Sequence, residues 1–163
     1  MKVGIIGTGL MGFPMAINIV KKYELKAFNR TLDKMKGLEK YKINLCSTLD
    51  NLSMDTDVII SMLPGDEEVL ETASQVKKNI KPNSVFVDMS STKVSTANEC
   101  YKVLKEINSY FIDAPVSGGP EGAKSGSLAI MAGGEQNIFL KIKPILETMG
   151  NSILLGPNGS GQV

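Results

Sequence analysis

The chain has 163 residues, the common size of one domain; 42% are apolar and 21% charged, an ordinary globular balance. Eighteen basic against seventeen acidic side chains leave a net charge of +1, which argues against the strongly basic footprint of a nucleic-acid binder. Histidine is absent, so no Ser-His-Asp triad, histidine-liganded zinc or imidazole proton shuttle can form within these residues.

Val3 to Ile6 is a short continuous apolar run, the pattern of a strand buried on both faces. Met11 to Lys21 follows as a helix, with Met15, Ala16, Ile19 and Val20 on one apolar stripe. A second strand, Leu25 to Phe28, ends in Asn29-Arg30-Thr31, and Thr31 is placed to cap a polar helix reaching about Lys40. Ile43 to Leu45 makes a weak third strand, and Thr48 to Asn51 a short helical turn. Cys46 and Cys100 stand too far apart for a CxxC motif; they read as reduced core thiols or as one disulfide. Asp57 to Leu63 is a strong strand stopped by Pro64-Gly65. Asp66-Glu67-Glu68 then opens a helix that runs to about Lys78, its acids suited to the positive end of the helix dipole. Ser84 to Asp88 is a further strand, and Ser95 is placed to cap a helix ending near Ile107. Tyr110 to Asp113, Leu128 to Met131 and Ile153 to Leu155 read as strands, and Glu135 to Met149 as a helix that Pro144 kinks or shortens. Strands alternating with helices predict an α/β fold: one domain over residues 1–163, a doubly wound, mostly parallel sheet with helices on both faces. No apolar run nears the roughly 20 residues that span a bilayer, and no signal-peptide core precedes the first strand. The chain is therefore expected in the cytoplasm, with neither membrane nor nucleic acid as a partner.

In such a sheet, ligands lie beyond the carboxyl ends of the strands. The first loop there is Gly7-Thr8-Gly9-Leu10-Met11-Gly12, a GxGxxG motif between a strand and a helix. Gly7 permits the tight turn, Gly9 lets a pyrophosphate approach the backbone, and Gly12 lets helix pack close on strand. The helix N-terminus adds unpaired N–H donors and a partial positive charge. The bland alternative is a glycine-rich turn; the strand-turn-helix setting favours a Rossmann-type dinucleotide site instead. An NAD site has Asp or Glu at the end of the second strand to bind the ribose hydroxyls. Asn29-Arg30-Thr31 stands there, and Arg30 is the single arginine of the chain. Its guanidinium can pair with a 2′-phosphate in charge-assisted bonds of about 1.5–3 kcal/mol each, so NADP is the expected cofactor, with NAD second. The alternative is that Arg30 is a solvated surface residue. Asp57 and Asp88, at strand ends, read as loop or helix caps rather than proton abstractors.

Gly7 through Asn18 and Asp113-Ala114-Pro115-Val116-Ser117-Gly118-Gly119 resemble the β-hydroxyacid dehydrogenase family. That family includes 3-hydroxyisobutyrate dehydrogenase and the glyoxylate/succinic semialdehyde reductases, and 6-phosphogluconate dehydrogenase is a relative. The resemblance implies that Met62-Leu63-Pro64 line the nucleotide and that Ser91, where the family usually has Thr, sits near the cofactor. It implies that Ser117, Gly118 and Gly119 bind the substrate carboxylate; a serine before two glycines can also curl into an anion-binding nest. The plain alternative for Ser117 is a turn residue bonding its own backbone. Gly156 through Gly161 resembles the start of the family's GxxGxGxxxK motif, whose lysine is the general acid/base. That lysine position falls two residues past Val163, and the family's helical second domain is likewise outside these residues. No catalytic residue is therefore expected within the chain, which is either part of a longer protein or naturally short. The resemblance implies an oxidoreductase moving hydride between a nicotinamide cofactor and a small hydroxyacid or its aldehyde or keto partner, a homo-oligomer at full length. Cofactor binding without turnover is the expectation for these residues alone. The alternatives are a 6-phosphogluconate dehydrogenase-type cofactor domain and a non-catalytic nucleotide-binding or interaction module.

Overall fold

The apolar runs of the sequence become the inner strands of one sheet in a computed structural model that describes residues 1–163. Six strands run parallel: β1 (Lys2–Ile6), β2 (Glu24–Phe28), β3 (Asn44–Leu45), β4 (Val58–Ser61), β5 (Val85–Asp88) and β6 (Tyr110–Asp113). Their order across the sheet is β3-β2-β1-β4-β5-β6. The chain moves outward in one direction to β3 and then crosses to the far side of β1, so the reversal lies between β1 and β4. Three further strands extend the sheet past β6. These are β7 (Val116–Ser117), β8 (Leu128–Gly133) and β9 (Gly150–Gly156), with β8 antiparallel to β6 and β7 and parallel to β9.

Successive strand residues face opposite sides, and each side has its own core. Val3, Ile5, Val58 and Ile60 pack with Met15, Ala16 and Ile19 of helix α1 (Gly12–Val20). The same layer continues under α5 (Gly119–Ser125) and α6 (Gln136–Leu146). Ile6, Ile59 and Phe86 face the other way, against α2 (Leu49–Ser53), α3 (Asp66–Val76) and α4 (Val94–Lys105). Phe86 and Phe111 stack there with ring centroids 5.9 Å apart. Cys46 and Cys100 belong to this second core as separate buried thiols, so the disulfide alternative does not hold. Burial pushes the Cys100 thiol up to about 12. No helix is long and apolar enough to cross a membrane.

Several elements differ from the sequence expectation for identifiable reasons. The helix expected from Thr31 to Lys40 is two 3-10 turns, Leu32–Met35 and Leu38–Tyr41, separated by Gly37 in the left-handed region (φ 100°). Ser95 does not cap α4, which already begins at Val94. Its entry is held from another helix: the Asp66 carboxylate accepts from the Lys93 N–H at 2.9 Å and the Thr96 hydroxyl at 2.6 Å. α6 passes through Pro144 and stops two residues later. β7 and α5, within Val116–Ser125, have no counterpart among the expected elements; six glycines from 118 to 134 disguise a helix that Pro120 starts at its first turn. β4 ends at Ser61 rather than Leu63, which frees residues 62–64 to form a loop at the edge of the sheet.

Candidate functional site

The glycine loop leaves β1 at the point where strand order reverses. Gly7 has φ 96°, and a Cβ there would lie 2.1 Å from the Met62 carbonyl oxygen. Gly12 starts α1 so close to the loop that a Cβ would lie 1.8 Å from the Gly7 carbonyl oxygen. Both positions therefore exclude any side chain. Gly9 is different: a Cβ there would meet nothing within 4 Å. Its backbone faces open space, and no side chain caps the N-terminus of α1 beside it. Such a surface suits a phosphate group, which needs backbone donors and close approach.

Thr8 and Asn29 stand beneath this loop. The Thr8 N–H donates to Asn29 Oδ1 at 2.8 Å, the Thr8 hydroxyl to the Lys34 carbonyl at 3.0 Å, and Asn29 Nδ2 to the Thr31 carbonyl at 2.9 Å. Their polar atoms thus tie the loop after β1 to the loop after β2, and Thr8 is buried. Arg30 points outward with its side chain 81% exposed, its Nη2 3.5 Å from the Glu71 carboxylate of α3. A cleft of about 350 Å³ opens here, lined by Gly7, Asn29, Arg30, Thr31, Lys34, Leu63, Pro64, Glu68 and Glu71 among others. A second cleft of about 380 Å³ runs along the glycine loop between Gly9, Leu10, Met11, Gly12 and Met62, and shares Gly7, Asn29, Lys34, Leu63 and Pro64 with the first. The structure therefore brings residues 7–12, 29–31 and 62–64 together. It adds Lys34, a cation bordering both clefts that sequence reasoning passed over as one lysine among many; its spacing four residues after Arg30 was the available signal. Glu68 and Glu71 were also missed, because α3 reaches the cleft only through the fold.

Further along the sheet edge the chemistry becomes buried. Asp88, at the end of β5, accepts from the Ser61 hydroxyl at 2.9 Å and from the Ser90 N–H at 3.1 Å. Burial pushes its carboxyl up to about 6, against the pull of the Ser90 and Ser61 hydrogen bonds. Asp88 caps the loop that follows it, as expected. The Ser90 hydroxyl in turn accepts from the Leu63 N–H at 2.8 Å, joining this loop to the one that lines both clefts. Ser91 lies exposed beside Ser90 and borders neither cleft. Thr92 has its hydroxyl buried with no hydrogen-bond partner. Asp57 accepts from the Lys2 N–H at 2.7 Å and pairs with Lys81 at 2.8 Å, a structural role at the opposite end of its strand.

Asp113, at the end of β6, is fully buried and accepts from the Gly159 N–H at 2.7 Å and the Gly161 N–H at 2.9 Å. Burial raises its carboxyl, and the two N–H donors pull it back. The glycine-rich C-terminal turn is thereby fixed to the sheet edge. Ser117, Gly118 and Gly119 lie past this point, exposed, with Gly118 at φ 136° and Gly119 at φ 62° opening α5. They do not border the two clefts. No group of three or more Cys, Asp or Glu is placed to hold a metal ion.

Comparison with known proteins agrees with this geometry. Residues 2–156 match the family described as the NAD binding domain of 6-phosphogluconate dehydrogenase. The chain is 36% identical to 3-hydroxyisobutyrate dehydrogenase, mitochondrial, of Rattus norvegicus over 98% of its own length and 49% of that protein's. It is 34% identical to 2-hydroxy-3-oxopropionate reductase of Escherichia coli over 99% of its length and 57% of the relative. Among solved structures, Mycobacterium tuberculosis 3-hydroxyisobutyrate dehydrogenase superposes with a TM-score of 0.96 at 30% identity, over 99% of this chain and 56% of that one. The chain thus spans about half the length of the curated relatives it matches.

Proposed function

The chain belongs to the family of NAD-binding domains typified by 6-phosphogluconate dehydrogenase, and from that membership we propose that it is the cofactor domain of an NADP-preferring β-hydroxyacid dehydrogenase. The observation that carries the reading is the placement of an open-sided GxGxxG loop at the strand-order reversal of a β3-β2-β1-β4-β5-β6 sheet. The open flank of Gly9 accommodates a pyrophosphate that a Cβ would obstruct. NADP is favoured over NAD because no carboxylate ends β2. The Asn29 carboxamide bonds Thr8 and Thr31, and Arg30 and Lys34 are the two cations that line the cleft.

In this reading the backbone of Gly7, Thr8, Gly9, Leu10, Met11 and Gly12 holds the pyrophosphate. Arg30 and Thr31 hold the 2′-phosphate and ribose, and Asn29 keeps both loops in register. Met62, Leu63 and Pro64 wall the nucleotide, Ser91 stands toward its nicotinamide end, and Ser117, Gly118 and Gly119 take the carboxylate of a small hydroxyacid or of its aldehyde or keto partner. The nicotinamide supplies the hydride chemistry when bound. The lysine position of the GxxGxGxxxK pattern, which would move the proton, falls two residues past Val163. Residues 1–163 are accordingly expected to bind cofactor with little or no turnover, and the longer protein to be a homo-oligomer.

Calorimetric titration with NADP and with NAD, repeated on Arg30→Ala, tests the reading. NADP is expected to bind at least about tenfold tighter than NAD, the contribution of one or two charge-assisted bonds, and the substitution is expected to abolish that gap. Equal binding of NAD would overturn the assignment of Arg30 to a 2′-phosphate. Binding of neither would overturn the dinucleotide reading for these residues.

A further inference from the structure

Gln162 lies in the 3-10 turn Ser160–Gln162, and both ends of its carboxamide are used. Oε1 accepts from the Thr92 N–H at 3.1 Å, and Nε2 donates to the Ser90 carbonyl at 2.8 Å. Both partners are main-chain groups of the loop after β5, 70 and 72 residues away in sequence. The turn that carries Gln162 is itself anchored, because buried Asp113 accepts the N–H groups of Gly159 and Gly161. Gln162 is therefore held at its root and bonded at its tip. From Ser90 the connection continues through its hydroxyl to the Leu63 N–H, in the wall of both clefts. Thr92 makes no compensating bond with its own hydroxyl, so its placement depends on the main-chain bond to Gln162.

We propose that Gln162 is a positioning residue for the nicotinamide half of the bound dinucleotide. The inference rests on the dinucleotide reading above and adds a role for a residue that borders neither cleft. In a doubly wound sheet the two nucleotides occupy the two halves on either side of the strand-order reversal. The adenosine half falls to β1–β3, where Arg30 and Lys34 stand. The second half falls to β4–β6, and its β5 loop is the one that Gln162 fixes at Ser90 and Thr92. Removing the strut should therefore weaken the grip on one half of the ligand and spare the other.

The test is titration of the 163-residue chain and of its Gln162→Ala and Gln162→Met variants with NADP, NAD and 2′,5′-ADP, the last carrying only the adenosine side of NADP. Methionine keeps the length and volume of glutamine and removes both hydrogen bonds, so it separates bonding from packing. Losing two side-chain-to-backbone bonds should weaken NADP and NAD by about five- to tenfold in either variant, with 2′,5′-ADP unchanged within about twofold. A melting temperature for each variant checks that it is folded. In the unmodified chain, hydrogen exchange at the Thr92 amide should slow with NADP and stay the same with 2′,5′-ADP, which provides a readout free of any substitution. Equal weakening of all three ligands would assign Gln162 to general stability and overturn the proposal, as would wild-type affinity in Gln162→Met. If the unmodified chain binds 2′,5′-ADP and both dinucleotides while the variants match it, the cofactor reading stands and this inference alone fails. If the unmodified chain binds none of them, both fail.

Discussion

The two halves of the cofactor edge are held by different physics. Around β1 and β2 the loops are fixed by local chemistry. Gly7 and Gly12 admit no side chain, Asn29 spans two adjacent loops, and the one ion pair, Arg30 with Glu71, is long and solvated. Around β5 and β6 the loops are fixed by two buried carboxyls: Asp88 accepts from the nearby Ser90 N–H and the distant Ser61 hydroxyl, and Asp113 accepts from the distant Gly159 and Gly161 N–H groups. The first half is open and presents groups to a ligand, whereas the second is closed and uses its polar groups on itself. The first half can exchange partners at small cost, because exposed pairs contribute little. The second cannot, because a buried donor left unpaired costs about 1–3 kcal/mol.

The largest test of the open half contrasts two of its glycines. In Gly12→Ala the new methyl would lie 1.8 Å from the Gly7 carbonyl oxygen, a backbone atom that cannot swing away. The gain of up to about 1 kcal/mol from better helix propensity is outweighed by overpacking of about 3 kcal/mol. A lowered melting temperature and lost dinucleotide binding are expected together. Gly9→Ala meets no atom within 4 Å, so thermal unfolding should move by less than about 0.5 kcal/mol while NADP binding falls at least about tenfold, because the methyl fills the space the pyrophosphate needs. Loss of stability in Gly9→Ala would break the distinction between loop architecture and ligand surface.

The closed half should reveal itself through pH. Asp88 has its carboxyl pushed up to about 6 by burial, from an ordinary 3.8. Between those values the folded chain keeps the proton that the unfolded chain releases. The native state binds more protons there, so stability falls as pH rises from about 4 to about 6 and then levels off. The drop is about 3 kcal/mol. Asp113, raised by burial as well, acts in the same direction. The carboxyls of Asp57 and Asp66 are held below the usual range and act oppositely, stability being lost as pH falls below about 4. Urea unfolding at pH 4 to 7, on the native chain and on Asp88→Asn, isolates the Asp88 contribution. The variant keeps an acceptor for Ser61 and Ser90 and should lose most of the drop. A native chain whose stability climbs through that window would contradict a protonated, buried Asp88.

The same contrast explains what could be read in advance. The strand-helix alternation, the parallel sheet, the GxGxxG loop and the position of Arg30 are local patterns of period and residue type, and the structure reproduces them. What escaped was long-range. α5 is hidden in a glycine-rich stretch whose helix is made by packing of Gly122 and Ala123 against the core. α4 is entered through Asp66, 27 residues before Lys93. Asn29 reaches Thr8, 21 residues back, as well as Thr31, and so ties the loop after β1 to the loop after β2, a link that no local pattern marks. Lys34 was obscured by the failure of the polar helix, which Gly37 breaks into two turns.

The smallest expected effect concerns Glu71, an acid that pairs with Arg30 in the cleft at the end of β2. Its bond to Arg30 is 3.5 Å long between side chains 81% and 59% exposed, so its worth to the fold is under about 0.5 kcal/mol. Its importance should lie in competition. While Arg30 pairs with Glu71, a 2′-phosphate must displace one carboxylate and approach within reach of its charge. Glu71→Gln keeps the shape and removes that charge. NADP affinity should rise about two- to fivefold, on the scale of one exposed charge interaction, with NAD changed less and the melting temperature unmoved. The gain should shrink as salt is raised, because the groups are solvent-exposed and screened over about 10 Å at 0.1 M. An equal gain for NAD would place the effect of Glu71 on the adenosine pocket as a whole, and a loss for NADP would mean that the carboxylate orients Arg30 for the phosphate rather than competing with it.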